Sequence, residues 1–462
     1  MFKFKTNFWI VFSFIVFASL ACSIPGLSAQ PDTADIATSV AATMSAQPTP
    51  TPMTEPSAQP ENLPTATTAV TPTTIPAANR HPDELHVAFI SPQQDVYSWS
   101  QSQGTIKILD YHDASGLKIS EDGSLIAVIR SSSNQQSSLW VVGFDGSLPR
   151  ELVSWSDLTG FKTAPDSLGT EPNNLQWIPA THLVTFSTRE VFDGPGMVLN
   201  DDLIVVDAEA GEWNIRLKPG TAGLVNFSPD GKWMAISTAE DISILDMDGN
   251  PAASGVLTFP PVITYSEYRL YPTPQWSADS SRLAVVIPAE DPLAEPRQPA
   301  SIWMMNVAGG EPVLQSQVIP QFIGPVLISP DLSKMFYVKE VGAIQENRRE
   351  IRTALINGQN DRFVFSGSIP ITWDWNPNSE VFSFQTDNAS PITVSQMNGS
   401  VGDLADTKNL QWFQWVDAQT YLFVRNLNGN EELLIGKWGG GSFSIATLPK
   451  SDMFRTQVDF TR

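Results

Sequence analysis

Residues 224–237 read Leu224-Val225-Asn226-Phe227-Ser228-Pro229-Asp230-Gly231-Lys232-Trp233-Met234-Ala235-Ile236-Ser237, two apolar runs separated by a turn sequence. Pro229 presets φ for a tight turn, the Asp230 side chain bonds its own backbone, and Gly231 accepts a positive φ. Apolar runs bounded by such residues predict a β-hairpin rather than a helix.

The same unit recurs along the chain at spacings of 40 to 58 residues, the range of four-stranded propeller blades. One strand of each unit closes on an aromatic residue or isoleucine: Ile119, Trp177, Phe227, Trp276, Ile328, Trp375, Trp415 and Phe460. A turn variant and an apolar strand follow most of these residues. Repeated four-stranded units leave exposed sheet edges unless the array closes on itself.

From Leu85 to Arg462 this pattern resembles the WD-repeat-like propeller family of TolB, whose members carry a Ser-Pro-Asp-Gly turn, an apolar strand and a later Asp-Gly turn. The match is strong at Ser228–Gly231 and degraded at Pro179-Ala180 and Val416-Asp417. The resemblance implies a propeller that binds a protein partner. TolB also carries an additional domain, for which this sequence shows no counterpart.

The predicted fold class is all-β, a closed propeller of four-stranded blades. Three strands precede Ile119 without an inner strand, and Gln457-Val458-Asp459-Phe460 matches Leu224-Val225-Asn226-Phe227 with no blade after it. We therefore expect the C-terminal strand to complete the first blade, which makes eight blades. Seven remain the alternative if Gln411 to Val424 is a distorted continuation of the neighbouring unit.

The N-terminal region predicts export and a lipid anchor. Lys3 and Lys5 precede the apolar run Phe8 to Ala21, and Ser19-Leu20-Ala21-Cys22 resembles a bacterial lipobox with serine in place of the usual leucine. We expect residues 1–21 to be a lipoprotein signal peptide, 22–83 a disordered tether rich in Pro, Thr and Ala, and 84–462 the propeller. Cleavage near Ala29 and an uncleaved anchor are the alternatives.

Composition limits the classes of partner and chemistry. The formal net charge of −22 disfavours nucleic acid, because binding to phosphates depends on Lys and Arg. Cys22 is the one cysteine, so no intramolecular disulfide is expected. Four histidines without metal spacing, and no recognised catalytic motif, predict no metal, no cofactor and no enzymatic activity.

The longer connections carry the functional prediction. They all fall between second and third strands or between an outer strand and the next inner strand, and therefore on one face: Ser154 to Asn173, Arg189 to Asp202, Thr258 to Pro272, Pro288 to Ala300 and Lys339 to Arg349. One connection holds Tyr265, Tyr268 and Tyr271 beside Arg269, and Tyr and Arg are favoured interface residues. Packing within an ordinary outer strand is the alternative role of these tyrosines.

The sequence therefore predicts a monomeric propeller attached by a lipid at Cys22 outside the cytoplasmic membrane of a bacterial envelope. Its loop-rich face is expected to bind an envelope protein, a peptide or a glycan. The alternative is a glycan-active enzyme that uses paired loop carboxylates drawn from Asp193, Asp201, Glu290, Asp291 and Glu295.

Overall fold

The structure is a computed structural model that describes residues 81–132, 134–194, 198–321, 326–341, 349–367 and 371–462. In these ranges, eight four-stranded antiparallel sheets form the blades of a closed β-propeller. The all-β prediction with eight blades is confirmed. The seven-blade alternative is wrong, because Gln411 to Val424 contribute to two strands of a separate eighth sheet.

The blades are numbered along the chain, and their strands are given from inner to outer. Blades 1 to 4 contain β32 (Gln457–Thr461), β1 (His86–Ile90), β2 (Val96–Ser100) and β3 (Gly104–Leu109); β4 (Ala114–Ile119), β5 (Leu125–Ser131), β6 (Ser137–Gly143) and β7 (Arg150–Val153); β8 (Gly169–Trp177), β9 (Leu183–Val191), β10 (Leu203–Asp207) and β11 (Trp213–Leu217); β12 (Leu224–Phe227), β13 (Trp233–Ser237), β14 (Asp241–Asp246) and β15 (Leu257–Thr258).

The remaining blades follow the same order. Blades 5 to 8 contain β16 (Gln275–Trp276), β17 (Arg282–Ile287), β18 (Ala300–Asn306) and β19 (Val313–Val318); β20 (Val326–Ile328), β21 (Lys334–Glu340), β22 (Arg349–Leu355) and β23 (Arg362–Gly367); β24 (Thr372–Trp375), β25 (Phe382–Gln385), β26 (Thr393–Gln396) and β27 (Gly399–Asp403); β28 (Leu410–Trp415), β29 (Thr420–Leu427), β30 (Asn430–Lys437) and β31 (Ser442–Pro449).

The connections between strands lie on two opposite faces, because neighbouring strands run antiparallel. Those between the second and third strands, and from each outer strand to the next inner strand, form the loop face. Those between the first and second strands, and between the third and fourth, form the turn face. The Ser-Pro-Asp-Gly turn between β12 and β13 therefore lies on the turn face.

The recurring turns share one hydrogen-bond pattern. The serine hydroxyl donates to the Asp carboxylate two residues later at 2.6–2.7 Å and accepts the backbone N–H five residues later at 2.9–3.0 Å. The pattern is the same at Ser120, Ser228, Ser277 and Ser329. This side-chain bonding explains why Ser and Asp recur where the first strand reverses into the second.

The hydrophobic core is divided among the spaces between blades. Within the described residues, eight buried clusters each join two neighbouring blades, and one of them joins blade 8 to blade 1. The two-residue alternation of strands sends successive side chains to opposite neighbours. In β17, for example, Leu283 and Val285 face blade 4, whereas Ala284 faces blade 6.

Tryptophans at the ends of inner strands also join blades. The indole Nε1 of Trp177 donates to the Lys118 carbonyl oxygen at 2.9 Å, that of Trp276 to Asn226 at 3.1 Å, and that of Trp375 to Leu327 at 3.0 Å. Each of these three acceptors is the second-last residue of the preceding inner strand. Each bond contributes about 1 kcal/mol to stability.

The C-terminal strand closes the ring, as predicted. β32 pairs with β1 from Ile90 opposite Gln457 to His86 opposite Thr461. Across the next interface, the Asp459 carboxylate accepts the Ile119 N–H at 2.8 Å and the Lys118 ammonium at 3.1 Å. The C-terminus therefore serves as inner strand of blade 1 and is bonded to blade 2.

One insertion differs from its predicted extent. Ser154 to Asn173 contains a short helix, α1 (Trp155–Thr159), and the beginning of β8. The Ser154 hydroxyl accepts the Asp157 N–H at 3.2 Å, and the Asp157 carboxylate accepts the Ser154 N–H at 3.0 Å. This capping box starts the helix, and its Ser-x-x-Asp spacing is readable in the sequence.

Candidate functional site

The long insertions of blades 3 to 6 contact one another in series across the loop face. Four side-chain contacts join successive insertions: Thr163 Oγ1 to Glu190 Oε1 at 2.9 Å, Tyr271 Oη to Asp201 Oδ2 at 2.7 Å, Tyr265 Oη to Asp291 Oδ1 at 2.6 Å, and Arg297 Nη2 to Glu340 Oε2 at 3.5 Å. The insertions therefore form one continuous surface.

Three of the four residues predicted to bind a partner surround one cavity. This tyrosine pocket has a volume of about 360 Å³ and is lined by Val198, Leu199, Asp201, Glu267, Tyr268, Arg269 and Tyr271. Its walls come from the loop that follows β9 and from the connection between β15 and β16. Residues more than 60 positions apart in sequence thus meet across two blades.

Tyr271 is the fixed wall of the tyrosine pocket. Burial, and then the hydrogen bond that its hydroxyl donates to Asp201, raise the pKa of Tyr271 to about 12. The phenol therefore stays protonated at neutral pH, and Asp201 remains its acceptor. A ring whose orientation is set before binding reduces the ordering cost of association.

Tyr268 and Arg269 are the accessible side of the tyrosine pocket. Tyr268 is 42% exposed, and hydrogen bonding to Glu267 raises the pKa of its hydroxyl. The Arg269 side chain is also exposed. The alternative in which these residues pack within an outer strand is wrong, because the connection between β15 and β16 runs as a loop over residues 259–274.

Tyr265 lies outside the tyrosine pocket. It is 58% exposed, and its hydroxyl bonds Asp291 in the loop between β17 and β18. The hydrogen bond from Tyr265 lowers the pKa of the Asp291 carboxyl, which therefore stays ionised at neutral pH. The structure thus places Tyr265 against the blade 5 loop rather than with the other two tyrosines.

A second depression adjoins the tyrosine pocket. This mouth cavity has a volume of about 440 Å³ and lies between blades 5 and 6, with Tyr271 as a wall common to both. Its lining is mainly apolar: Leu270, Tyr271, Pro272, Thr273, Pro274, Gln275, Ala284, Val286, Pro288, Val326, Leu327 and Ile328. The two depressions share Tyr271 in their lining and are together called the groove.

Three of the five acidic residues considered for catalysis are held by neighbouring side chains. Asp201 and Asp291 accept from tyrosines, and Glu295 lies 3.5 Å from the Arg297 guanidinium. Asp193 follows β9, and the Glu290 carbonyl oxygen accepts the Ile263 N–H at 2.8 Å. The Asp201 and Asp291 carboxylates therefore each join two separate loops of this face.

A charged cluster on the turn face was not predicted from the sequence. His182 Nε2 lies 3.0 Å from Asp122 Oδ2, and Nδ1 lies 2.6 Å from Glu209 Oε1. Ser124 Oγ lies 3.3 Å from the same Nε2. The cluster borders a cavity of about 630 Å³ between blades 2 and 3. Its members come from three turns, so no local motif reveals it.

The Ser124, His182 and Glu209 geometry superficially matches a nucleophile, base and acid triad. The hydrogen bond to Asp122, and then that to Glu209, raise the pKa of His182. Two carboxylates thus favour the imidazolium, which has no lone pair to accept the serine proton. The cluster joins blades 2 and 3 electrostatically.

The described ranges contain no group of three or more His, Cys, Asp or Glu side chains suited to holding a metal ion. In the same ranges, no helix is long and apolar enough to cross a membrane. Cys22, the predicted signal peptide and the tether up to residue 80 lie outside the described residues.

No protein-family model matches the chain, and no curated protein is detectably similar to it. Among solved structures, a eukaryotic initiation factor shares 12% identity at a TM-score of 0.48, covering 82% of this chain and 98% of its own. AztD from Citrobacter koseri shares 11% at 0.45, with coverage of 82% and 98%. TolB from Acinetobacter baumannii shares 14% at 0.31, with coverage of 63% and 64%. These similarities concern the fold alone.

Proposed function

We propose that this protein is a lipid-anchored, extracytoplasmic propeller that binds a protein, peptide or glycan through its loop face. The observation that supports the proposal is the series of contacts that unites the insertions of blades 3 to 6 around the tyrosine pocket. Loops held on a rigid scaffold are frequent sites of binding. The ring is completed by its own C-terminal strand, which is consistent with action as a monomer.

Binding accounts for the loop chemistry better than catalysis does. The tyrosine pocket combines two exposed side chains with a ring held in place by Asp201. Tyr and Arg supply large contact areas at interfaces, and preorganised rings lose little entropy on association. We therefore propose a non-enzymatic role that requires no cofactor.

The loop face is tested with a variant that carries Tyr265→Ala, Tyr268→Ala and Tyr271→Phe. The full chain and this variant are used to capture partners from the native envelope, followed by identification of the captured molecules. We expect the variant to lose the partner and to keep its melting temperature within a few degrees. The matched control is Asp248→Asn on the turn face, which is expected to retain the partner. Equal capture by all three proteins would remove the loop face from consideration.

The anchor is tested separately through Cys22→Ala. A lipid-modified cysteine holds an exported protein at the membrane, so the variant is expected to move from the membrane fraction to the soluble exported fraction. Fractionation followed by immunoblotting measures the shift. Retention of the variant in the membrane fraction would contradict lipid anchoring at Cys22.

A further inference from the structure

The charges around the tyrosine pocket are mainly negative. Asp201 and Glu267 line it, and among its described lining residues Arg269 alone is cationic. Asp291 lies in the neighbouring loop bonded to Tyr265. The whole chain carries a formal net charge of −22. An anionic group in this pocket would be repelled by two carboxylates and attracted by one guanidinium. A cationic group would be attracted by both carboxylates and repelled by the guanidinium, so the balance favours a cation.

The aromatic walls favour the same sign of charge. Tyr268 and Tyr271 line the pocket together with the two carboxylates, and the faces of tyrosine rings attract cations. The bond from the Tyr271 hydroxyl to Asp201 fixes the position of one ring relative to one carboxylate. Val198 and Leu199 provide apolar contact for an aliphatic stem. These are the groups that a lysine or arginine side chain requires.

The neighbouring mouth cavity adds a requirement for an apolar group. It shares Tyr271 with the tyrosine pocket and is lined mainly by Leu, Pro and Val residues. In an extended peptide, side chains two residues apart point to the same side and lie about 7 Å apart. Because Tyr271 lines both depressions, we expect a basic residue in the tyrosine pocket to place an apolar residue of the same strand toward the mouth cavity.

We infer that the groove receives an extended peptide segment of a protein partner, with a lysine or arginine in the tyrosine pocket and an apolar residue in the mouth cavity. This inference rests on the proposed binding role of the loop face and specifies the chemistry of its partner. Arg269 lines the same pocket, so it acts as a like charge that limits affinity for the basic residue.

The inference is tested by selecting binders from a library of random dodecapeptides displayed on phage, with the full-length protein as target. We expect enriched peptides to carry Lys or Arg followed two residues later by Val, Leu, Ile or Pro. An acidic consensus, or no enrichment, would overturn the inference. Binding to a glycan array without peptide enrichment would also overturn it, while leaving loop-face binding intact.

Variants then test the sign of the charge with one synthetic peptide from the selection. The double variant Asp201→Asn with Glu267→Gln is expected to weaken binding by about tenfold or more, because a charge-assisted contact is lost at each position. Tyr268→Ala is expected to weaken it by about fivefold through loss of a ring face. Arg269→Ala is expected to strengthen it by about twofold, since a like charge is removed.

The control for these measurements is Asp248→Asn, which removes one negative charge on the turn face and is expected to leave the affinity within about twofold of the original. Circular dichroism melting confirms that each variant is folded. Loss of binding in Arg269→Ala, or unchanged binding in the double carboxylate variant, would overturn the inference. Either outcome overturns only the basic-peptide assignment, and not the proposed function, if capture of a partner from the envelope still depends on the loop tyrosines.

Discussion

The fourth residue of the recurring turn has a left-handed φ whether or not it is glycine. The value is 69° at Gly231, 59° at Ser280, 58° at Leu332 and 60° at Ser379. At Ser280 and Ser379 the hydroxyl accepts a backbone N–H from the preceding blade, from Asp230 at 3.0 Å and Asp331 at 2.9 Å. The position therefore joins blades as well as reversing the chain, which explains why serine replaces glycine there.

Gly231→Ala tests this joining role at the scale of one residue. A Cβ at Gly231 would overlap the carbonyl oxygen of Pro179 in the preceding blade. We expect the free energy of unfolding to fall by about 3 kcal/mol, from the left-handed φ together with the overlap. Denaturant unfolding followed by tryptophan fluorescence measures the change.

Gly249→Ala is the matched control for Gly231→Ala. Gly249 has a φ of 88°, and a Cβ there would meet no atom within 4 Å. Its substitution is expected to cost about 1 kcal/mol from φ alone. Equal costs at the two glycines would show that contact between blades contributes nothing at Gly231.

At the scale of elements, turns of neighbouring blades are held together by ionised side chains. His182 in the blade 3 turn lies between Asp122 of blade 2 and Glu209 of its own blade. Burial would raise the pKa of Asp122, but hydrogen bonds from His182, Ser120 and Ser124 outweigh burial and hold it well below its ordinary value of 3.8. The pKa of His182 is raised above its ordinary 6.5, chiefly by Asp122.

His182→Gln tests this interaction through its dependence on pH. The stability that comes from the raised pKa of His182 is fully present below pH 6.5 and is lost as pH rises through the folded-state pKa. The stability from Asp122 is present above pH 3.8 and is lost as pH falls through its lowered pKa. The free energy of unfolding of the original protein should therefore exceed that of the variant most between about pH 4 and 6.5, by about 2 kcal/mol.

Urea unfolding of both proteins from pH 4.5 to 9 measures the difference. We expect it to shrink steadily on the alkaline side. A difference that stays constant over this range would show that the contribution of His182 does not depend on its charge.

At the scale of the whole molecule, stability depends on a ring closed by the end of the chain. The Glu431 carboxylate in β30 accepts the backbone N–H and the hydroxyl of Thr456 at 2.9 and 2.7 Å, immediately before β32 begins. Arg455 lies 3.5 Å from the same carboxylate. These contacts hold the segment that leads the C-terminal strand from blade 8 back to blade 1.

Deletion of residues 457–462 tests the closure. Without β32, the inner edge of β1 loses its pairing partner, and an unpaired edge promotes association between chains. We expect a lower melting temperature, a broader transition and larger species in size-exclusion chromatography. The control deletes Arg462 alone, which removes its ion pair with Asp417 but keeps all of β32 and is expected to cost less than about 1 kcal/mol. A cooperative monomer after the larger deletion would contradict the role of closure.

Much of the fold depends on interactions between residues close in sequence, and it was therefore predictable from the sequence. The Ser-x-Asp turns, the two-residue alternation and the residues that end the inner strands depend on neighbours within a few positions. They were sufficient to predict the blades and, from the unmatched strands at Leu85 and Gln457, the closure of the ring. The capping box of α1 was also local, but its five-residue helix interrupts a region otherwise dominated by strands.

Tertiary structure alone decided which side chains meet. Tyr271 and Asp201 are 70 residues apart, and His182 and Asp122 are 60 apart, so neither pair has a signature in the sequence. The sequence placed three tyrosines in one connection, but the path of that loop separates Tyr265 from the tyrosine pocket. The physical reason is that a strand pattern specifies local backbone geometry, whereas a site depends on the packing of whole blades, which brings distant loops together.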